Sequence, residues 1–117
     1  MCENEDHRSL HDMLDHSKEA LTLMQGRTRS DLVSDRMLEL SIVRLLEIVG
    51  EAANRVSPAL KTRLPSIPWP QMISLRNRLI HGYDAVDLDI LWEIIKCDVP
   101  QLIDDLETYL QAEGGQI

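Results

Sequence analysis

The residues best equipped for chemistry stand together in Arg76-Asn77-Arg78-Leu79-Ile80-His81-Gly82-Tyr83. Arg76 carries a permanent charge in a planar fork of donors that matches two oxygens of a phosphate. His81 is the side chain whose ordinary pKa, about 6.5, lets it give and take protons near neutrality. A proton-transfer reaction on an anionic group needs a base, an acid and a cation for the charge that is held. Histidine suits either proton role and arginine suits the third.

The helix that positions these groups is expected from about Gln71 to His81, with Gly82 as the residue that stops it. At about 100° per residue, Met72, Ile73, Leu75, Leu79, Ile80 and Tyr83 fall on the same side as Arg76, while Gln71, Ser74 and Arg78 fall opposite. This spacing predicts Arg76 in the middle of the buried stripe, where a guanidinium is costly unless an anion or a ring of acceptors answers it. An internal carboxylate, helix C-terminal carbonyls, or a cleft between two copies of the chain would each serve. His81 lies about 140° away from Arg76 on an ideal helix, so the helix must end there for the two to meet within one chain.

Charge is segregated along the chain. The net charge is -8, yet no acidic residue occurs between Ala52 and Tyr83, a run that holds Arg55, Lys61, Arg63, Arg76 and Arg78. Arg55, Lys61, Arg63 and Arg78 are candidates for binding a nucleic acid such as RNA if the fold gathers them on one cleft, because such segregation can focus an anion there while the acidic remainder repels polyanions elsewhere. Solvated helix ends would explain the same run without function.

The remaining elements follow from apolar periodicity, and the expected fold is all-α: one domain over residues 1–117, an antiparallel bundle of about four long helices plus a short connecting helix. Aromatic residues make up 3% and Phe is absent, so Leu, Ile, Val, Met and Ala must fill the core. A first helix is expected from about Asp6 to Gln25, stopped by Gly26, with Leu10, Met13, Leu14, Leu21 and Met24 on its inner face. A second is expected from about Ser30 or Asp31 to Val56. Its polar residues between Met37 and Val56, namely Glu39, Arg44, Glu47, Glu51, Asn54 and Arg55, leave only a narrow wet stripe, which predicts burial on more than one side. Gly50 within it is easiest to justify if another helix crosses closely there.

Ser57-Pro58 reads as the N-cap and first-turn proline of a short helix over Ala59 to Leu64. Pro65, Pro68 and Pro70 then imply a stiff extended connection around Trp69. A last helix opens near Asp87, and Pro100 is expected to kink or briefly break it. No strand pattern or repeat occurs. His7 and His11 stand one turn apart without a third ligand, which favours a solvated face and no metal. Cys2 and Cys97 form no disulfide framework, and no apolar run reaches membrane-spanning length, so a soluble, cytoplasmic protein is expected.

The chain from about Leu45 to Leu110 resembles the HepT branch of the HEPN domains. The resemblance rests on Glu47-Ile48-Val49-Gly50-Glu51-Ala52-Ala53, Ile67-Pro68-Trp69, the Arg76 to Tyr83 motif and Asp98-Val99-Pro100, in that order. It implies a homodimeric, metal-independent endoribonuclease toxin of a toxin-antitoxin pair, with no cofactor, acting on tRNA or mRNA. Arg76 and His81 would be the catalytic pair, Asn77 a supporting contact, and Tyr83 the residue to which a partner nucleotidyltransferase of the MNT type attaches AMP. Two other readings stay open: a non-catalytic nucleotide- or substrate-binding HEPN subunit of a nucleotidyltransferase complex, and a helical dimerisation protein whose Arg76 is merely paired inside the bundle.

Overall fold

A computed structural model describes residues 2–81 and 85–114, with the side chains of residues 2–4, 81 and 114 excepted. The described elements are α1 (Cys2–Met24), α2 (Arg29–Ser34), α3 (Arg36–Arg55), α4 (Pro58–Arg63), α5 (Trp69–Ile73), α6 (Leu75–Leu79), β1 (Ile80–His81), β2 (Ala85–Val86), α7 (Leu88–Glu93), a π-helical turn (Ile94–Asp98) and α8 (Val99–Gly114). The chain is thus the expected all-α bundle. Three of its members are long: α1, α3, and the run from α7 through the π turn into α8. The fourth is the short pair α5 and α6.

Helix α3 is the centre. Leu38, Ile42, Val43, Leu45, Leu46, Val49, Ala52 and Ala53 are buried around it, against α1 on one side and α5 and α6 on the other. From α1 come Leu10, Met13, Leu14, Ala20 and Met24. The two layers are tied at one end by the buried carboxylate of Asp6, which accepts from Ser57 N at 2.9 Å and from Ser57 Oγ at 2.6 Å. Ser57 in turn caps α4 by accepting from Leu60 N at 3.3 Å, with Pro58 in the first turn as expected.

The single second helix of the sequence reading is two. Asp35 has extended backbone (φ -112, ψ 95), and its side chain accepts from Leu38 N, so it caps α3 and closes α2 behind it. Trp69 opens α5 instead of lying in an extended connector. Its indole N–H donates to Leu64 O at 3.0 Å, and Pro70 occupies the first turn, where its missing N–H costs nothing. The α-helical register of the last helix is interrupted just before Pro100. The turn before it widens to the π register, with Val99 N–H bonding back to Ile94 O, and this makes room for a residue that can offer no donor and crowds the preceding carbonyl.

The motif helix ends two residues earlier than expected. Ile80 is extended (φ -105, ψ 120), Ile80 and His81 pair antiparallel with Val86 and Ala85, and Leu79 O accepts from Asp87 N at 2.9 Å. Asp87 then caps α7 by accepting from Ile90 N. Gly82, Tyr83 and Asp84, and with them the expected modification site, lie outside the described residues. No helix among the described residues is long and apolar enough to cross a membrane.

Gly50 marks the close crossing that its position implied. A Cβ built there would lie 2.9 Å from Met72 O, 3.4 Å from Ile73 O and 3.8 Å from Leu75 Cβ. Two of these atoms are backbone and cannot swing aside. Gly50→Ala should therefore destabilise the protein by about 1–3 kcal/mol through overpacking, outweighing the roughly 1 kcal/mol that alanine gains in helix propensity. Urea unfolding of the variant checks this, and a stabilised Gly50→Ala protein would contradict the crossing.

Candidate active site

The crossing at Gly50 lays α5 and α6 over the polar stripe of α3. Between them is an open hollow of about 280 Å³ lined by Glu47, Gly50, Glu51, Asn54, Ile73, Arg76 and Asn77. Five of these seven residues are polar, and they come from two segments separated in sequence by the whole of α4 and the proline-rich connection.

Arg76 is not in the buried stripe. Its side chain is 71% exposed, whereas Met72, Leu75 and Leu79 are buried. The wheel failed because the motif is not one ideal helix. Ser74 breaks it, with backbone at φ -93, ψ 14 and a hydroxyl that donates back to Pro70 O at 2.8 Å. The apolar arc that reaches the core is also narrow: Ile73 and Ile80 are only half-buried, and Arg76 falls at its edge beside the hollow.

A resident carboxylate does answer the charge. Glu47 Oε2 lies 3.5 Å from Arg76 Nε, and the Glu47 side chain is only 20% exposed. The contact is an ion pair to one edge of the guanidinium, longer than a good charge-assisted hydrogen bond. Beside it, Arg44 Nη1 lies 3.6 Å from Glu51 Oε1, with both side chains more than half exposed. The hollow and its rim thus hold two anions, each matched by one cation.

Asn77, expected as a supporting contact, lines the hollow next to Arg76. The backbone of His81 lies in β1, five residues on; its side chain is outside the described residues. The other basic candidates do not gather here. Arg78 points to the π turn, where its guanidinium meets Asp98 Oδ2 at 3.4 Å. Lys61 sits over the Trp69 ring at 5.9 Å, and Arg63 pairs with Glu113 at 3.8 Å. Arg55 is exposed in the last turn of α3. The acid-free run therefore does not fold into a single basic cleft, because α4 and the π turn draw three of its charges to other partners. His7 and His11 meet edge to face, with ring centroids 4.6 Å apart.

Apolar periodicity gives Glu47, Glu51 and Asn54 only as solvated positions of α3, although Glu47 and Glu51 also stand in a block that carries the resemblance. The signal that they share a site is their spacing of four and three residues around a glycine that admits a crossing helix.

Residues 13–109 match the family described as "Ribonuclease HepT-like". The chain belongs to the HepT-like family. Among its relatives is a Thermococcus cleftensis protein named "Probable ribonuclease HepT", 37% identical over 99 residues that cover 81% of this chain and 90% of the relative. A Methanocaldococcus jannaschii protein named "Putative RNase MJ1380" is 32% identical over 98 residues, covering 84% and 90% of the two chains. One from Caldanaerobacter subterraneus subsp. tengcongensis, "Putative RNase TTE0752", is 33% identical over 90 residues, covering 77% and 80%. No solved structure matches. The HepT-like match spans both sides of the hollow, α3 as well as α5 and α6, and continues through most of α8.

An exposed arginine whose ion pair is long contributes little to folding. Arg76→Met should leave the unfolding free energy within about 0.5 kcal/mol of the parent. A loss of several kcal/mol in chemical denaturation would instead mean that Arg76 is a structural member of the bundle.

Proposed function

We propose that this HepT-like protein is a metal-independent endoribonuclease, the toxin of a toxin-antitoxin pair, that cleaves RNA with Arg76 and His81 in a cleft completed by a second copy of the chain. The observation that carries this reading is Arg76 itself, exposed at the rim of a polar hollow in a chain of the HepT-like family, where an arginine has no core to support. Its Nε edge faces Glu47, and the rest of the fork is suited to two phosphate oxygens. Asn77 supports the same anion. His81 acts as base toward the 2′-hydroxyl in one copy and as acid toward the 5′-oxygen in the other.

Two features support the second copy. One protomer offers a single motif histidine where the reaction has two proton transfers, and its hollow is balanced in charge, so a phosphate needs a further cation. The surface is also suitable. Met37, Leu40, Arg44, Glu47, Glu51 and Asn54 alternate by three and four residues along one face of α3, the spacing of a helix-helix seam. At the start of this seam Met37 and Leu40 are 79% and 47% exposed, next to Val33 at 60%. A copy packed across a two-fold axis on this face would cover the apolar end and bring a second Arg76 toward the hollow.

Neutralisation by a partner nucleotidyltransferase that attaches AMP to Tyr83 fits the motif chemistry. The added charge and bulk, two residues from His81, would compete with RNA.

Purified protein should cut tRNA or mRNA in EDTA, and His81→Ala and Arg76→Ala should each lose about 10²-fold or more in rate. Nucleotide binding without cleavage would favour a non-catalytic binding subunit instead. Met37→Glu with Leu40→Glu should shift the mass in solution from dimer to monomer by light scattering, and heterodimers of His81→Ala with Arg76→Ala chains should recover partial activity. Mass spectrometry of the protein coexpressed with its transferase should find AMP on Tyr83; a neutralised complex with that tyrosine unmodified would remove this part of the proposal.

A further inference from the structure

We propose that the hollow beside Arg76 is a nucleobase subsite that selects bases carrying an exocyclic amine, cytosine and adenine, over uracil. The inference rests on the reading of the chain as an RNA-binding nuclease and adds the feature of RNA that the site recognises.

The lining supplies acceptors in excess of donors. Glu47 and Glu51 are acceptors only, and Asn54 and Asn77 each offer one carbonyl and one amide NH2. Arg76 is the charged donor in the hollow and is committed to phosphate in this reading. Glu47 meets Arg76 through Oε2 and Glu51 meets Arg44 through Oε1, and each carboxylate has a second oxygen that can accept as well. Ile73 gives the same hollow an apolar wall against which a ring can lie.

A base next to the bound phosphate meets this set edge on. Cytosine N4 and adenine N6 are N–H donors that a carboxylate accepts, and an asparagine amide can pair with the neighbouring ring nitrogen or carbonyl. Uracil puts the O4 acceptor where cytosine has its amine. Against a glutamate this places two acceptors face to face, with neither able to rotate into a donor, whereas bases of single-stranded RNA are open to such reading on their pairing edges. The volume of about 280 Å³ is on the scale of one base with its sugar-phosphate, so selection is confined to one position beside the cut.

The test uses full-length protein and 2′-O-methyl oligonucleotides of cytidine, adenosine and uridine, which cannot be attacked at the 2′ position, with binding followed by fluorescence anisotropy at one fixed salt concentration. The cytidine and adenosine oligomers should bind roughly 5-fold or more tightly than the uridine oligomer. Glu51→Gln, on an exposed site where folding is not at stake, should bring that ratio toward one because glutamine can turn its amide to suit O4. Glu47→Gln should do the same, with its thermal unfolding measured alongside. Equal binding of cytidine and uridine by the parent protein would overturn the subsite, as would a ratio that survives both substitutions or no binding of any oligomer. Selective binding with unmethylated RNA left uncut would uphold the subsite and remove the nuclease reading; cleavage at all bases alike would do the reverse.

Discussion

The site depends on how closely two backbones approach at Gly50. Because that residue has no Cβ, α5 and α6 settle on α3 until a peptide oxygen lies 2.9 Å from where a methyl group would be. No other residue type permits that separation without moving a main chain. Its consequence is lateral: the short helices lie across the polar stripe of α3, so Arg76 and Asn77 face Glu47, Glu51 and Asn54 across a shallow gap. The rest of the bundle supports this crossing. The Asp6 to Ser57 hydrogen bonds fix the end of α3, the Trp69 indole anchors the start of α5, and the pair of Arg78 with Asp98 ties α6 to the last helix.

Electrostatics then limits what a single chain can do. Each carboxylate in the hollow faces one guanidinium, which leaves no excess positive charge to draw in a phosphate. Three other cations of the acid-free run, Lys61, Arg63 and Arg78, are engaged elsewhere, on Trp69, Glu113 and Asp98. For an acidic chain of net charge -8, the proposed second copy would add cations beside the hollow. The exposed Met37 and Leu40, on the same face of α3, give such a pairing an apolar contact.

Much of the fold was legible because its signals are local. Ser57-Pro58 and Asp87 carry the chemistry of helix starts, and Gly50 in an otherwise apolar helix announced a close neighbour. What escaped was set by tertiary context. Asp35 looks like one more polar residue on a helix, and only its bond to Leu38 N makes it a boundary. Pro100 reads as a kink or a brief break, and what the sequence leaves unstated is that the break takes the form of a π-helical turn. Arg76 was placed in the core by a wheel that assumed one straight helix; the interruption at Ser74 and the early turn at Ile80 moved it to the rim. The Arg76 to Tyr83 motif and the block from Glu47 to Ala53 are read in the sequence as separate stretches, and that Arg76 and Asn77 face Glu47 and Glu51 across one hollow emerged only from the packing.

The central claim is that RNA is cut by proton transfer around an arginine-held phosphate, with the 2′-hydroxyl as nucleophile. That chemistry leaves a 2′,3′-cyclic phosphate on one fragment and a free 5′-hydroxyl on the other. The most direct test is to treat a defined RNA with the protein in EDTA and determine the ends of the fragments by kinase labelling and mass spectrometry. The account predicts cyclic phosphate and 5′-hydroxyl ends that disappear with His81→Ala. Fragments bearing 5′-phosphates, or cleavage that needs an added divalent metal, would contradict it.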